Sequence, residues 1–264
     1  MGRLQDKVAV VTGGGTGIGR AICLEFAREG AHVAIISNVQ PEAERVADEV
    51  HRLGRTGLSF VCDVTDVPAL QRIADQVHAA LGGADILVTS AGVMGERTFI
   101  TNMSDDGWRR TIEVNLNACF YCIKVFLPGM LERDRGRIIT ISSMSGKLPA
   151  ALNADYSASK HGVIGLTKAL ALELGLLRKN GITANAICPG SVDTPMLAQI
   201  AETLRPLTGE TAEQFVQQRV VTKNIQNRLL DPVEIAYMAV YLASDEARGV
   251  TGQAMNVCAG TVLF

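Results

Sequence analysis

Short apolar runs alternate with longer amphipathic stretches along most of this chain. Val8-Ala-Val-Val11 is rich in β-branched residues and too short for a helix, so it predicts a strand. Gly17–Arg28 then places Ile18, Ala21, Ile22 and Phe26 at helical spacing. The same reading predicts strands at His32–Ile36, Leu58–Val61, Asp85–Val88, Arg137–Ile141, Ile182–Ile187 and Ala254–Val257. It predicts helices at Glu42–Leu53, Val67–Leu81, Asp105–Glu132, Tyr156–Arg178 and Pro232–Ala243. Pro128 falls near the end of the longest, and Pro232 directly after Asp231 is a strong start signal. Such alternation predicts an α/β fold: a doubly wound, seven-stranded parallel sheet with helices on both faces. The rhythm breaks at about 194–230, where mixed polar residues and helical fragments predict an insertion that shapes a ligand pocket. With no linker, repeat or low-complexity tract, residues 1–264 read as one domain.

The first strand runs straight into Thr12-Gly-Gly-Gly-Thr-Gly-Ile-Gly19, which opens the first helix. Glycines there permit a tight turn and let a pyrophosphate approach the backbone at a helix N-terminus. The candidate cofactor-binding residues are Gly13, Gly15, Gly17, Ile18 and Gly19, in a Rossmann-type arrangement. After the second strand, where an acidic residue often holds the adenosine ribose, stand Ser37 and Asn38. No carboxylate follows until Glu42 and no arginine is adjacent, so the choice between NAD and NADP stays open.

Composition narrows the partners. The chain has 264 residues, 47% hydrophobic content and a formal net charge of -2, with no basic or aromatic stripe. No nucleic-acid or membrane partner is expected. Residues 1–7 are polar and no uninterrupted apolar run is long enough to cross a bilayer, so a cytoplasmic location is expected. Six cysteines lie mostly in apolar runs and read as buried, reduced side chains. Cys119 and Cys122 form a CxxC, but inside a helical stretch. His32, His51, His78 and His161 form no ligand cluster, and no metal site is expected.

Tyr156-Ser-Ala-Ser-Lys160 sets a phenol and an ammonium at i, i+4, on one face of a helix. A neighbouring ammonium favours the ionised phenol, which suits acid–base chemistry. Taken alone this pair is common. Here it follows, in order, the glycine-rich turn, Asn115 in Glu-Val-Asn-Leu and Ser143 in Ile-Ser-Ser-Met-Ser-Gly, and it precedes Pro189-Gly190. In this joint pattern, which covers nearly the whole chain, the sequence resembles the short-chain dehydrogenase/reductase family.

The resemblance implies an NAD(P)-dependent oxidoreductase that interconverts a secondary alcohol and a ketone. Tyr156 would exchange the proton, and Ser143 would hydrogen-bond the reacting oxygen. Lys160 would hold the nicotinamide ribose and act on the tyrosine, and Asn115 would hold a water linking Lys160 to solvent. Asp63 and Val64 match adenine-contacting positions. Ala91 and Gly92 would admit the cofactor to the backbone. Pro189, Gly190, Val192 and Thr194 match the segment that orients the nicotinamide amide. The family also implies a homotetramer built through the two long helices, and Ala158, Gly162, Gly165 and Ala169 would permit close approach.

Two departures stand out. Thr89-Ser-Ala-Gly92 occupies a place where Asn-Asn-Ala-Gly is frequent, and Cys258-Ala-Gly260 one where Asp-Gly-Gly is frequent. The tail resembles two branches of the family, sugar-alcohol-phosphate dehydrogenases and ketoreductases of aromatic polyketide synthesis. Arg205, Arg219, Lys223, Lys147, Asn153 and Gln199 are candidate polar pocket groups. They favour a small polyol, sugar derivative or hydroxy acid as substrate. The alternatives are a ketoreductase acting on a 3-ketoacyl or polyketide-type substrate, and a non-catalytic nucleotide-binding regulator.

Overall fold

Strands buried on both faces need side chains that are apolar at nearly every position, and the five inner strands of this sheet largely supply them. In the computed structural model, which describes residues 2–264, β1 (Val8–Thr12) leads through α1 (Gly17–Arg28) to β2 (His32–Ser37). Then follow α2 (Gln40–Arg52), β3 (Gly57–Val61), α3 (Val67–Leu81) and β4 (Ile86–Thr89). A long helical run comes next: α4 (Asp105–Ile112), a π-turn over Glu113–Asn117, and α5 (Ala118–Arg133). The chain continues with β5 (Gly136–Ile141), α6 (Ala154–Leu176), β6 (Ile182–Pro189), α7 (Pro195–Thr208), α8 (Ala212–Phe215), α9 (Pro232–Ala243) and β7 (Ala254–Val257).

The strand order is β3-β2-β1-β4-β5-β6-β7, and every pairing is parallel. This is the expected seven-stranded, doubly wound Rossmann-type sheet. Alternate strand residues serve opposite faces. Ala9, Val11 and Ile35 pack with Ile22 and Phe26 of α1, Val46 of α2 and Val240 of α9. Val8, Val10 and Leu87 pack with Leu70 of α3, Phe126 and Met130 of α5 and Leu170 of α6.

Side chains fix the ends of these elements. Asp66 accepts from the Ala69 amide at 3.0 Å, capping α3. Asp231 and Glu234 form a capping box at α9, as the Asp-Pro signal predicts. Asp85 lies just before β4 and is buried, and it accepts from the Val8 amide at 3.1 Å and from Arg135 Nη2 at 2.7 Å. It joins the starts of β1 and β4 to the turn before β5.

Several sequence expectations shift at their edges. The helix predicted from Tyr156 begins at Ala154, so Tyr156 stands in the first turn. The long helix contains the π-turn, which periodicity does not register, and it continues through Pro128 to Arg133. Within its full span, Asp105–Arg133, one 18-residue window has a mean hydropathy of 1.4, enough by length and composition for a membrane-crossing helix, a property that counting uninterrupted apolar runs overlooks. In this fold its buried residues pack against the sheet, α3 and α6. The region after β6 forms α7, α8, a π-turn over Val216–Val220 and a short 3-10 turn. A parallel bridge between Val192 and Leu230 closes its base. All six cysteines are unpaired and buried. Burial pushes the Cys62 thiol up to about 11 and raises the thiols of the CxxC pair as well.

Phe26 is fully buried at the centre of the α1–α9 layer. Phe26→Ala is expected to lower unfolding free energy by about 3–5 kcal/mol, the usual cost of emptying an aromatic core site. Equilibrium urea denaturation reads this directly, and a loss under about 1 kcal/mol would contradict the packing described.

Candidate active site

A doubly wound sheet opens a crevice where its strand order reverses, at the carboxyl ends of the strands. Here the reversal lies between β1 and β4. A cleft of about 780 Å³ occupies that end. Its floor is the glycine-rich turn. Gly13 (φ +64°) and Gly17 (φ +51°) take left-handed conformations that favour glycine. A Cβ on Gly19 would collide with the Gly13 carbonyl, so the turn closes on itself and leaves α1 to begin at the cleft. Thr12 Oγ1 accepts from the Ser90 and Ala91 amides at 3.2 and 3.3 Å, holding the segment after β4 against this turn. Gly13, Gly15, Gly17, Ile18, Gly19, Ser37, Asn38, Asp63, Val64, Ala91, Gly92, Pro189, Gly190, Val192 and Thr194 all line the cleft.

The far end is more charged than the linear sequence suggests. Because α2 starts at Gln40, its first turn carries Glu42 back to the cleft beside Gly15 and Ser37. From the next turn Arg45 Nη2 donates to the Gly15 carbonyl at 3.0 Å. One carboxylate and one guanidinium therefore flank the turn, where the sequence shows a neutral Ser-Asn pair. Asp63, nearby, accepts from the Thr65 amide and hydroxyl at 3.0 and 2.8 Å, which holds its carboxyl below the usual range.

At the other end Ser143, Tyr156 and Lys160 share the wall. Ser143 Oγ accepts from the Ser145 amide at 3.0 Å, which leaves its hydroxyl proton free to donate. Lys160 is buried, and its Nζ donates to the Ile141 carbonyl at 2.9 Å and lies 5.6 Å from the Tyr156 ring centre. Asn115 does not line the cleft but stands behind it, in the π-turn. Its amide clamps Val93 in both directions, accepting from the backbone N–H at 2.8 Å and donating to the carbonyl at 3.0 Å. A further bond at 3.1 Å reaches Ser159.

Two residues escape sequence reasoning. Asp155 is fully buried and accepts from the Tyr156 amide at 2.7 Å, the Glu96 amide at 2.8 Å and Thr111 Oγ1 at 2.8 Å. Gly95 (φ +75°) lies against it so closely that a Cβ would crowd the carboxylate. Arg97, two residues beyond Gly95, lines the cleft with its guanidinium 5.6 Å from the Tyr156 ring centre. For Asp155 the one signal in the sequence is its position directly before Tyr156. For Arg97 there is none.

Other expectations are corrected. Of the candidate polar pocket groups, Asn153, Arg219 and Lys223 reach the cleft. Lys147 instead donates to the Phe264 backbone oxygen at 2.8 Å, Arg205 pairs with Glu202 at 3.6 Å on α7, and Gln199 is outside the lining. Both departures from the family pattern have local solutions. Thr89 Oγ1 meets Cys119 Sγ at 3.2 Å across to α5. Ala259 takes φ +51° beside Gly260, while Cys258 packs on Gly190 so tightly that no Cβ fits there.

Sheet, crevice and glycine turn define a nicotinamide-dinucleotide-binding enzyme class, and comparison with known proteins agrees. A family model described as short chain dehydrogenase matches residues 7–205. A putative ketoacyl reductase of Streptomyces coelicolor is 37% identical over 98% of this chain and 98% of its own length. A D-beta-hydroxybutyrate dehydrogenase of Cupriavidus necator is 36% identical over 98% and 99%. The crystal structure of a single-residue variant of actinorhodin polyketide ketoreductase with NADPH superposes with a TM-score of 0.93 at 36% identity, covering 100% of both chains. The chain belongs to the short-chain dehydrogenase/reductase family and is an NAD(P)-dependent oxidoreductase.

Asp155 makes its own prediction. Asp155→Ala strands three donors, and hydrogen bonds to a charged group are worth about 1.5–3 kcal/mol each. A stability loss of at least about 3 kcal/mol is expected by denaturant titration, with faster proteolysis between residues 92 and 104. A variant as stable and protease-resistant as the parent would show that the carboxylate does not hold this loop.

Proposed function

We propose that the enzyme interconverts a small polar secondary alcohol and its ketone, with Tyr156 as proton carrier. The carrying observation is the shared wall of Ser143, Tyr156 and Lys160 at one end of a cleft whose other end is the glycine-rich turn. The nicotinamide cofactor supplies the hydride chemistry when bound. The cleft fits it: its backbone admits a pyrophosphate at Gly13–Gly19, and its depth reaches from Ser37 to Tyr156. Tyr156 gives its phenolic proton to the developing alkoxide in reduction and takes the hydroxyl proton in oxidation. The Ser143 hydroxyl donates to the same oxygen. Lys160 holds the ribose and the phenol together from one buried ammonium. Asn115 fixes Gly92–Val93 behind that ammonium, and a water-mediated link to solvent would use the remaining lone pair of its Oδ1.

Small polar substrates are favoured by what the cleft leaves unpaired. Asn153 lines it with a buried Oδ1 that has no hydrogen-bond partner. Buried polar atoms are rarely left without a partner, so this one is available to a polar group in the cleft. The ketoreductase reading also has support, because Leu148, Met196, Leu197, Ile200 and Phe215 give the opposite wall an apolar face. Comparing specificity constants for hydroxy acids and polyols with those for aryl or decalone-type ketones separates the two. A strong preference for the apolar ketones would establish the second.

A homotetramer in the cytoplasm completes the proposal. Leu172, Leu176 and Phe120 are exposed on the two long helices, as are Ala158, Gly165 and Ala169. A monomeric mass in solution at micromolar concentration would overturn the assembly.

Tyr156→Phe is expected to cut turnover by about 10²–10⁴-fold, the range for loss of a general acid, while cofactor binding persists. More than about a tenth of the parental rate would refute the proton role. Lys160→Ala should weaken cofactor binding and turnover together.

Cofactor discrimination is expected to be modest, since Glu42 and Arg45 bring one charge of each sign to the Gly15 end of the cleft. Ser37→Asp should shift the ratio of specificity constants towards NAD, and Glu42→Gln towards NADP. A parental ratio beyond about 10³, about 4 kcal/mol, would mean that another residue reads the 2′ position.

A further inference from the structure

Arg97 is a half-buried cation that makes no ion pair among the described residues. Its Nε is sealed from solvent and has no hydrogen-bond partner. Among the described residues its guanidinium makes no ion pair and no hydrogen bond to any group. Burial disfavours its charge, yet a guanidinium stays protonated at any working pH. The two acids nearest in sequence and space are already engaged. Glu96 accepts from the Ser104 amide at 2.9 Å and Ser104 Oγ at 2.6 Å, turned to the start of α4. Asp155 lies close enough to favour the charge, but its hydrogen bonds go to Tyr156, Glu96 and Thr111. A half-buried guanidinium whose donors are taken by no group of the chain is a ready partner for an anion. Here the guanidinium stands in a cleft, beside the proposed proton donor.

We infer that Arg97 is the receptor for a carboxylate on the substrate, which makes the substrate a short oxo acid and its hydroxy acid. The inference rests on the alcohol–ketone reading above and narrows it. A guanidinium presents parallel N–H donors that match the two oxygens of a carboxylate. Its carbon lies as close to the Tyr156 ring centre as Lys160 Nζ does, 5.6 Å in both cases. The reacting oxygen on Tyr156 and the carboxylate on Arg97 are therefore neighbours, and only a few carbons separate them. In reduction the oxo carbon gains hydride from NAD(P)H, which leaves as NAD(P)+, and the oxygen gains the Tyr156 proton. The carboxylate keeps its charge throughout and serves as the handle. Arg219 and Lys223, on the segment that covers the cleft, lie at its rim, and Arg219 is held by Glu210 at 2.7 Å. Arg97 is the cation at the reacting end that has neither an ion pair nor a hydrogen bond, whereas Lys160 donates to the Ile141 carbonyl.

The test compares acetoacetate with methyl acetoacetate, which share the ketone and differ in charge, in the parent and in Arg97→Gln and Arg97→Lys. The parent should prefer the acid. Arg97→Gln should lower the acid-to-ester ratio of kcat/KM by about 10²-fold or more, mainly through KM for the acid. Arg97→Lys should restore part of it, because the charge remains and the fork is lost. The KM for the cofactor should not follow this pattern. An unchanged ratio, with acid and ester falling together, would reduce Arg97 to a support for Tyr156 and overturn the inference. A raised cofactor KM without loss of acid preference would assign the guanidinium to the cofactor instead. Dihydroxyacetone phosphate turned over in preference to acetoacetate, with the same dependence on Arg97, would replace carboxylate by phosphate. If the parent reduces neutral ketones but rejects every short oxo acid, this inference fails and the oxidoreductase reading stands. If it reduces no ketone at all, that reading fails. Calorimetric titration of the cofactor-loaded enzyme with malonate then decides alone: binding lost in Arg97→Gln supports the receptor, and no binding overturns it.

Discussion

The carboxylate of Asp155 holds together parts of the chain that approach from different directions. It takes a proton donor from the loop after β4, another from α4 and a third from the first turn of α6. A buried carboxylate needs hydrogen-bond donors to offset its lost hydration, so each of these donors answers the same requirement. Tyr156 is the next residue, and its ring direction is set by a helix start that cannot tilt without breaking these bonds. Arg97 is delivered by the same loop, two residues beyond the left-handed Gly95 that packs on the carboxylate. The geometry at the reacting end of the cleft is thus inherited from one acid that touches no ligand.

Around that point the site is organised by charge. Two cations flank the Tyr156 ring, one bonded to a strand carbonyl and one bonded to nothing. At the opposite end an acid and a base share the glycine turn. Between them the backbone itself lines the crevice, because Gly13, Gly92 and Gly190 leave no side chain in the way. A long, flat, polar-ended ligand matches this distribution, with a second, smaller one seated on its reactive edge.

The sheet is legible in the sequence because strands covered on both faces must be apolar at consecutive positions, as Val8–Val11 and Ile182–Ile187 largely are. Gly13–Gly19 and Tyr156/Lys160 are legible because each carries its function within a few residues of one element. Arg97 and Asp155 are not, since their meaning lies in contacts between a loop without periodicity and helices far along the chain. Glu42 is visible but easily misjudged, because distance along the sequence hides how quickly a helix returns a side chain to where it began. Lys147 misleads for the converse reason: it sits four residues from Ser143 on the cleft wall yet points to the folded-back tail.

The π-turn at Glu113–Asn117 holds one residue more than an α-helical turn and so sets the angular phase between the two halves of the long helix. Each residue advances an α-helix by about 100°. With the extra residue present, Thr111 above it faces Asp155, while Cys122 and Phe126 below it face the sheet. Both surfaces are satisfied on one rod only because a single added position separates them. A chain shortened by one residue at this turn would have to give up either its hold on the reacting end or its grip on the core.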